Sequence, residues 1–422
     1  MTTNRDIVLI DTLREYTAEN GFIEFKTNLP DPAKIGNLIS ALSNSARLLD
    51  QESAYILWGI EDESHEVIGT SFDPSTKKVG KQDFSFWLTQ RLQPAPHFNF
   101  RLVDYTNGNK VVILEIPAAI NSPVTFDSVA YIRVGSATPK LTDYPNKYES
   151  LIEKMRSFSW ETGIAASFIT ADQVLEYLDY HKYFELSKQP LPEDNQRILE
   201  SLASDNLIKR DVGEYWDILN LGAILFAKDL KNFGTSLSRK AIRFVSYKGP
   251  DRTTEVSARN DGQKGYASGF EGLLSYINQL VPKNEHIGQA LRVSTPLFPE
   301  LSIRELVANA LIHQDMIITG AGPLIELFEG RLEISNPGQP LVEIDRIIDA
   351  PPRSRNEALA ALMRRMGICE EQGSGMDKVF MQVETFQLPA PLIETVANTT
   401  KVTLYAPRNF SEMTSDERVR AC

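Results

Sequence analysis

The stretch Arg304-Glu-Leu-Val-Ala-Asn-Ala-Leu-Ile-His-Gln-Asp315 constrains this chain more than any other. It holds no Pro or Gly, and Leu301, Leu306, Ala310 and Ile312 supply apolar positions, so one helix is predicted. Glu305 and Asn309 are four residues apart and stand above one another on one helical face, which His313 continues. A carboxamide oxygen can ligate a hard cation such as Mg²⁺, and a carboxylate beside it can orient a water. The plainer alternative is an amphipathic core helix with two satisfied polar residues.

Length and composition narrow the rest. A chain of 422 residues is expected to hold two or three domains, and its mixed charge is that of a soluble globular protein. No apolar run approaches the ~20 residues that cross a bilayer, and the N-terminus has no apolar signal core. Only Cys369 and Cys422 are present, which excludes a disulfide framework or a Cys-based zinc site and fits a reducing cytoplasm. The formal charge of −12 repels polyanions, so nucleic acid would need a local basic groove or a metal-bridged site. No P-loop pattern occurs.

Residues 1–158 read as one α+β unit. Asp6–Glu19 is predicted helical, and Phe22-Ile-Glu-Phe-Lys26 is a strand with Phe22, Glu24 and Lys26 on one face. Asp31 caps a helix that Pro32 begins and that runs to about Leu48. Ala54–Ile60 is a buried strand ending at the acidic turn Glu61-Asp-Glu63. A helix at Gln82–Leu92, a hairpin turned at Asn107-Gly108, a strand at Val129–Val134 and a helix at Tyr148–Met155 complete the unit. Residues 159–295 form an α+β middle region. Its helix at Asp194–Asn206 and hairpin around Val212-Gly213 invite a winged-helix DNA-binding reading, with a plain linker as the alternative. Arg252–Gly265 is expected to be a loop. Residues 296–408 form a C-terminal block with a hairpin across Glu329-Gly330, two further helices and a last strand, and 409–422 are a polar tail.

Three pieces of that block, the Glu305/Asn309 helix, Ile334-Ser-Asn-Pro-Gly338 and Glu371-Gln-Gly-Ser-Gly-Met376, resemble the GHKL ATP-binding fold of histidine kinases, gyrase B subunits and heat-shock chaperones. More narrowly they resemble the divergent ATPase-like domain found downstream of Schlafen-type domains in bacterial proteins. The first unit, through Glu24-Phe-Lys26, Leu57-Trp-Gly-Ile-Glu-Asp62 and Tyr131-Ile-Arg-Val-Gly-Ser136, resembles the Schlafen-type AlbA-like domain. The resemblance implies an α+β fold class overall, with a Schlafen/AlbA-like first domain, an α+β middle region and a GHKL-like α/β sandwich at the C-terminus.

It also implies roles. Glu305 would orient water and Asn309 would ligate Mg²⁺. Asn336 and Gly338 fall at the adenine turn, and Gly373, Ser374 and Gly375 at the phosphate side, where a Gly-rich turn enters a helix. The GHKL fold places an Asp at the adenine turn where this chain has Asn336, whose amide oxygen can make the same contact. Similarity to animal Schlafen ribonucleases implies a triad of Glu19, Glu24 and Asp62 holding Mg²⁺ or Mn²⁺, with Lys26 stabilising a developing oxyanion. Glu61 or Glu63 are alternatives for the third acid. Lys77, Lys78, Lys81, Arg91, Arg101, Arg133 and Lys140, interleaved with Phe84, Trp87, Phe98 and Tyr131, suit RNA. A solvated face over an ordinary core is the alternative, and Arg133 is the residue singled out for phosphate. The five histidines show no metal spacing.

The expectation is a cytoplasmic, homo-oligomeric, nucleotide-responsive protein that binds nucleic acid, RNA before DNA, and no membrane. Its cofactors are ATP and Mg²⁺ or Mn²⁺, and its implied activity is metal-dependent endoribonuclease cleavage of tRNA or other structured RNA in stress or phage defence. The alternatives are a non-catalytic, ATP-sensing, DNA-binding transcriptional regulator, and an interaction protein with neither site alive.

Overall fold

The computed structural model describes residues 4–16, 21–156, 159–211, 215–287, 292–347, 353–369 and 375–407, with 411, 415 and 418 in the tail. The chain divides into two compact units, Met1–Phe158 and Ser159–Cys422. Helices and sheets alternate through both, an α+β fold.

The first unit contains α1 (Asn4–Arg14), β1 (Ile23–Lys26), α2 (Pro32–Leu48), β2 (Ser53–Trp58), α3 (Phe84–Arg91), β3 (Asn99–Asp104), β4 (Lys110–Pro117) and α4 (Pro145–Arg156). Its sheet runs β1-β2-β4-β3. The β1/β2 pair is parallel, with Glu24 opposite Ile56 and Lys26 opposite Trp58. The other two pairs are antiparallel. The helix α2 is the spine of the unit. Asp31 Oδ1 accepts from the N–H groups of Ala33 and Lys34 at 2.9 and 3.3 Å, which fixes its start.

α2 buries Ile35, Leu38, Ile39 and Leu42, but also Ser40, Ser43, Asn44 and Ser45. Those polar side chains stand in for a strand. Only Val129–Ala130 of the segment predicted as the strand Val129–Val134 joins a ladder. Beyond it, Ser40 Oγ accepts from Tyr131 N at 3.0 Å, Asn44 Nδ2 donates to Tyr131 O at 2.9 Å, and Ser45 Oγ accepts from Arg133 N at 2.8 Å. Buried backbone must find partners, and α2 supplies them where a neighbouring strand does not. The result pins Arg133 against the interior.

Gly36 lies inside α2, where Ala has the better helix propensity by about 1 kcal/mol. A Cβ there would meet the Phe126 ring at 2.2 to 2.5 Å. Gly36→Ala is therefore expected to destabilise the first unit by about 1–2 kcal/mol, because overpacking outweighs propensity. Urea unfolding measures it, and a stabilised variant would contradict this packing.

The second unit opens with β5 (Ile164–Ile169), α5 (Ala171–Tyr177), α6 (Tyr180–Ser187), α7 (Asn195–Ser204), β6 (Ile208–Arg210), β7 (Trp216–Leu219) and α8 (Asn220–Phe226). The three strands form an antiparallel sheet in the order β5-β7-β6. The turn expected at Val212-Gly213 lies outside the described residues. There follow β8 (Arg243–Tyr247), β9 (Val256–Asp261), α9 (Tyr266–Leu280), α10 (Glu300–Ile312), β10 (Leu324–Phe328), β11 (Arg331–Pro337), α11 (Glu357–Arg365), α12 (Gly375–Thr385), β12 (Leu392–Val396) and β13 (Thr399–Tyr405). They build a six-stranded sheet, β9-β8-β10-β11-β13-β12. Only β8/β10 is a parallel pair.

Two edge strands depart from the sequence reading. β9 occupies part of the expected loop Arg252–Gly265, and β12 has no counterpart in it. Both are edges, and β9 exposes alternate residues of a polar run, so it lacks the apolar alternation of a half-buried strand. One hydrophobic cluster runs from Val174 through Phe244 and Phe270 to Leu404. Residues on both sides of position 296, where the sequence reading begins its last block, thus share a core and a sheet. Among the described residues, no helix is long and apolar enough to cross a membrane.

Candidate functional site

α10 forms because its apolar residues Ile303, Leu306, Val307, Ala310 and Leu311 are buried in that cluster. Its remaining face, Glu305, Asn309 and His313, borders a cavity of 940 Å³, within the size range of small-molecule sites. Glu305 is 2% exposed. The floor comes from the sheet. The β11/β13 register sets Ile334 opposite Val402 and Asn336 opposite Thr400, and all four line the cavity. Ile393 of β12, paired with Val402, extends the apolar part. Arg353, Arg355 and Arg364 form a cationic wall.

Two glycines are required by geometry. Gly338 has φ +103°, and a Cβ there would lie 2.8 Å from the Asp315 Cβ. Thr400 Oγ1 donates to Gly338 O at 2.7 Å and fixes the turn that follows Asn336. Gly375 opens α12, and a Cβ there would stand 2.9 Å from Glu305 Oε2. Only a bare backbone lets that helix start against the acid. Gly373 and Ser374 lie outside the described residues. Of the remaining residues expected to hold a nucleotide, the fold brings Glu305, Asn309, Asn336 and Gly375 to one cavity. Gly338 supports it from the turn behind Asn336. Burial pushes the His313 imidazole below its ordinary value, and Arg355 and Arg364 push it further. Both effects favour the neutral imidazole.

The arginines were not singled out in the sequence, nor was Asn356, which places them. Asn356 is buried and its Nδ2 donates to the carbonyls of Ile312 and Gln314, both at 2.8 Å. This clips the start of α11 to the end of α10. Asn356→Ala would leave both carbonyls unpaired and is expected to cost about 2 kcal/mol in denaturant unfolding of the second unit. A loss below about 0.5 kcal/mol would show that the clip does not hold. At its other end α11 is held by Arg365, whose guanidinium makes paired hydrogen bonds to the Asp205 carboxylate. An Arg-Ser-Arg-Asn run before an amphipathic helix was the available signal. It says nothing of the partner carbonyls, which lie more than 40 residues earlier.

The acids of the first unit are arranged otherwise. Glu19 lies outside the described residues. Glu24 is 4% exposed and its carboxylate is engaged by two cations, Arg133 Nη2 at 2.5 Å and Lys26 Nζ at 3.0 Å. Asp62 is exposed and stands 3.6 Å from Lys26 Nζ. Glu24, Lys26 and Asp62 thus meet, but with a lysine between the two acids. Among the described residues, no group of three or more His, Cys, Asp or Glu side chains is placed to hold a metal ion.

Of the cations expected to face nucleic acid, Arg133 is a buried ion pair that also donates to Thr138 Oγ1 at 3.0 Å. Arg101 pairs with Asp6 at 2.9 Å and Glu115 at 2.6 Å. Lys77 lies 5.7 Å from the Phe72 and Phe84 rings. Lys78, Lys81 and Lys140 are exposed. Phe84 and Phe98 belong to an aromatic cluster with Phe100, and Arg91 covers the Trp87 ring at 4.3 Å.

No curated protein matches the chain. Among solved structures, the chain is similar to the DIP2311 protein from Corynebacterium diphtheriae, with 18% identity, 96% of this chain and 82% of that chain covered, and a TM-score of 0.47. Residues 320–404, which carry the cavity floor, the arginine wall and α12, match the family described as "Putative ATP-dependent DNA helicase recG C-terminal".

Proposed function

We propose that the second unit is a receptor for a nucleoside polyphosphate, ATP with Mg²⁺, and that its occupancy governs a nucleic-acid contact made by the first unit. The observation that carries the nucleotide reading is the make-up of one cavity: an apolar sheet floor for a base, an acid and an amide on α10, and three arginines for phosphates. Arginine forks suit phosphate geometry. The match of residues 320–404 to an ATPase-like family supports the same ligand. Asn309 and Glu305 offer oxygen donors of the kind Mg²⁺ accepts while it keeps several waters, so the donor set fits that ion. When bound, Mg²⁺ would neutralise charge on the phosphates, with Asn309 as the residue that would hold it and Glu305 as the one that would orient a water. A thermal-shift series with ATP, ADP, GTP and adenosine in Mg²⁺ tests the receptor. ATP should raise the melting temperature most, and no shift with any of them would refute the reading.

For the first unit, the engagement of Glu24 by Arg133 and Lys26 favours binding without cleavage. A cation at Glu24 would have to displace both. The exposed Lys78, Lys81 and Lys140 support a nucleic-acid contact, and RNA is the expected class. A second reading, a DNA-binding regulator, is supported by α7 followed by the β6/β7 hairpin within a three-stranded sheet. Fluorescence anisotropy with tRNA and with duplex DNA, run with and without ATP and Mn²⁺, separates them. Intact, bound RNA supports the lead. Tight duplex binding supports the regulator, and RNA cut only when Mn²⁺ is present would restore the nuclease.

A further inference from the structure

We infer that Glu161 is a positioning residue for this cavity: it sets where the arginines of the 353–364 segment stand, and thereby the affinity for the phosphate part of the ligand, without touching the ligand. The inference rests on the nucleotide reading above.

α11 has a problem at its N-terminus. Its first N–H groups need partners. The residue in the cap position, Asn356, makes no side-chain cap; its Nδ2 donates instead to the carbonyls of Ile312 and Gln314. The cap comes from far earlier in the chain. Glu161 is 3% exposed, and its Oε1 accepts from Leu359 N at 2.5 Å while Oε2 accepts from Ala358 N at 3.4 Å. A carboxylate at a helix N-terminus also meets the positive end of the dipole. The acid is itself held: Ser159 Oγ donates to Oε2 at 2.6 Å. Asn220 fastens the turn, with Nδ2 donating to Trp160 O at 2.9 Å and its backbone N to Gly163 O at 2.7 Å.

Glu161 does not line the cavity, but α11 and the residues just before it supply Arg353, Arg355 and Arg364, which do. The segment that carries these arginines is therefore fixed at two points, by Asn356 on the carbonyls at the end of α10 and by Glu161 on the first N–H groups of α11. Ser159 is the first residue of the second unit, so this cap sits where the chain enters it. Coupling of this kind is reciprocal. If the cap steadies the arginines, an anion on the arginines steadies the cap.

The test compares ATP with adenosine on the full chain. Glu161→Ala should weaken ATP about tenfold, the size of a lost cap, and leave adenosine within about twofold. Glu161→Gln keeps an acceptor oxygen for Leu359 N and should recover most of the loss. In the wild type, ATP but not adenosine should slow amide exchange at Ala358, Leu359 and the turn 160–163. Equal weakening of both ligands, or an unchanged ATP affinity with only a lower melting temperature, would reduce Glu161 to a structural cap and overturn the inference. Should Glu161→Ala not fold, Glu161→Gln and Ser159→Ala carry the same comparison, with a smaller expected loss of ATP affinity alone. If the wild type binds no nucleotide, the receptor reading falls as well. If it binds ATP and the variants bind it as tightly, only this inference falls.

Discussion

Replacing Arg355 and Arg364 together with Ala is expected to weaken ATP binding by at least about a hundredfold while leaving adenosine nearly unchanged. Hydrogen bonds to charged groups contribute about 1.5–3 kcal/mol each, and about 1.4 kcal/mol is tenfold in affinity. Both side chains border the cavity, and both act on His313, whose imidazole they help to hold below its ordinary value. The double variant therefore carries a second readout. Its His313 should titrate closer to the ordinary histidine value, visible by NMR, because two like charges are gone. Lys at both positions should fall between, since a point charge remains but the fork is lost. An unchanged ATP affinity in the double Ala variant would remove phosphate from that wall.

Glu24→Ala is expected to destabilise the first unit by about 3–5 kcal/mol, the cost of leaving a buried charge without its partner. Glu24 and Arg133 are each 4% exposed and 2.5 Å apart. Arg133 cannot swing out to water, because its own N–H is tied to Ser45 Oγ and its Nη1 to Thr138 Oγ1. Denaturant unfolding of the full chain, followed at the first unit's transition, measures the loss, and a cost under about 1 kcal/mol would contradict a structural role for the pair. The consequence for function is direct. Activity lost in Glu24→Ala would report lost fold as readily as lost chemistry. Asp62→Asn is the cleaner probe, since Asp62 is exposed and its contact with Lys26 is a surface pair expected to contribute under about 1 kcal/mol.

Much of this was legible in the chain. The spacing of Glu305, Asn309 and His313 fixes one helical face wherever the helix docks, and all three do reach one cavity. Asp31 and Pro32 mark the start of α2 by local chemistry alone. What could not be read is what depends on distant partners. Arg133 before the Gly135-Ser136 turn looks like a surface cation. It is buried because Ser40, Asn44 and Ser45, some 90 residues earlier, draw its segment inward. Glu161 is a single acid between Trp160 and Thr162 in the sequence, and only the fold brings it to Leu359. The strand β9 hides because an edge needs no apolar alternation. Local rules located many of the elements, and the inter-element polar contacts that decide which charges are buried left no mark in spacing.

The central claim is that the cavity beside α10 takes a nucleoside polyphosphate through Asn309 and the arginine wall. Calorimetric titration of the full chain with ATP and Mg²⁺, beside Asn309→Ala and the Arg355/Arg364 double variant, tests it most directly. Saturable binding at one site per chain, weakened by chelating the Mg²⁺ and by each variant, is the expected result. No binding of ATP, or binding of equal strength in all three proteins, would contradict the account.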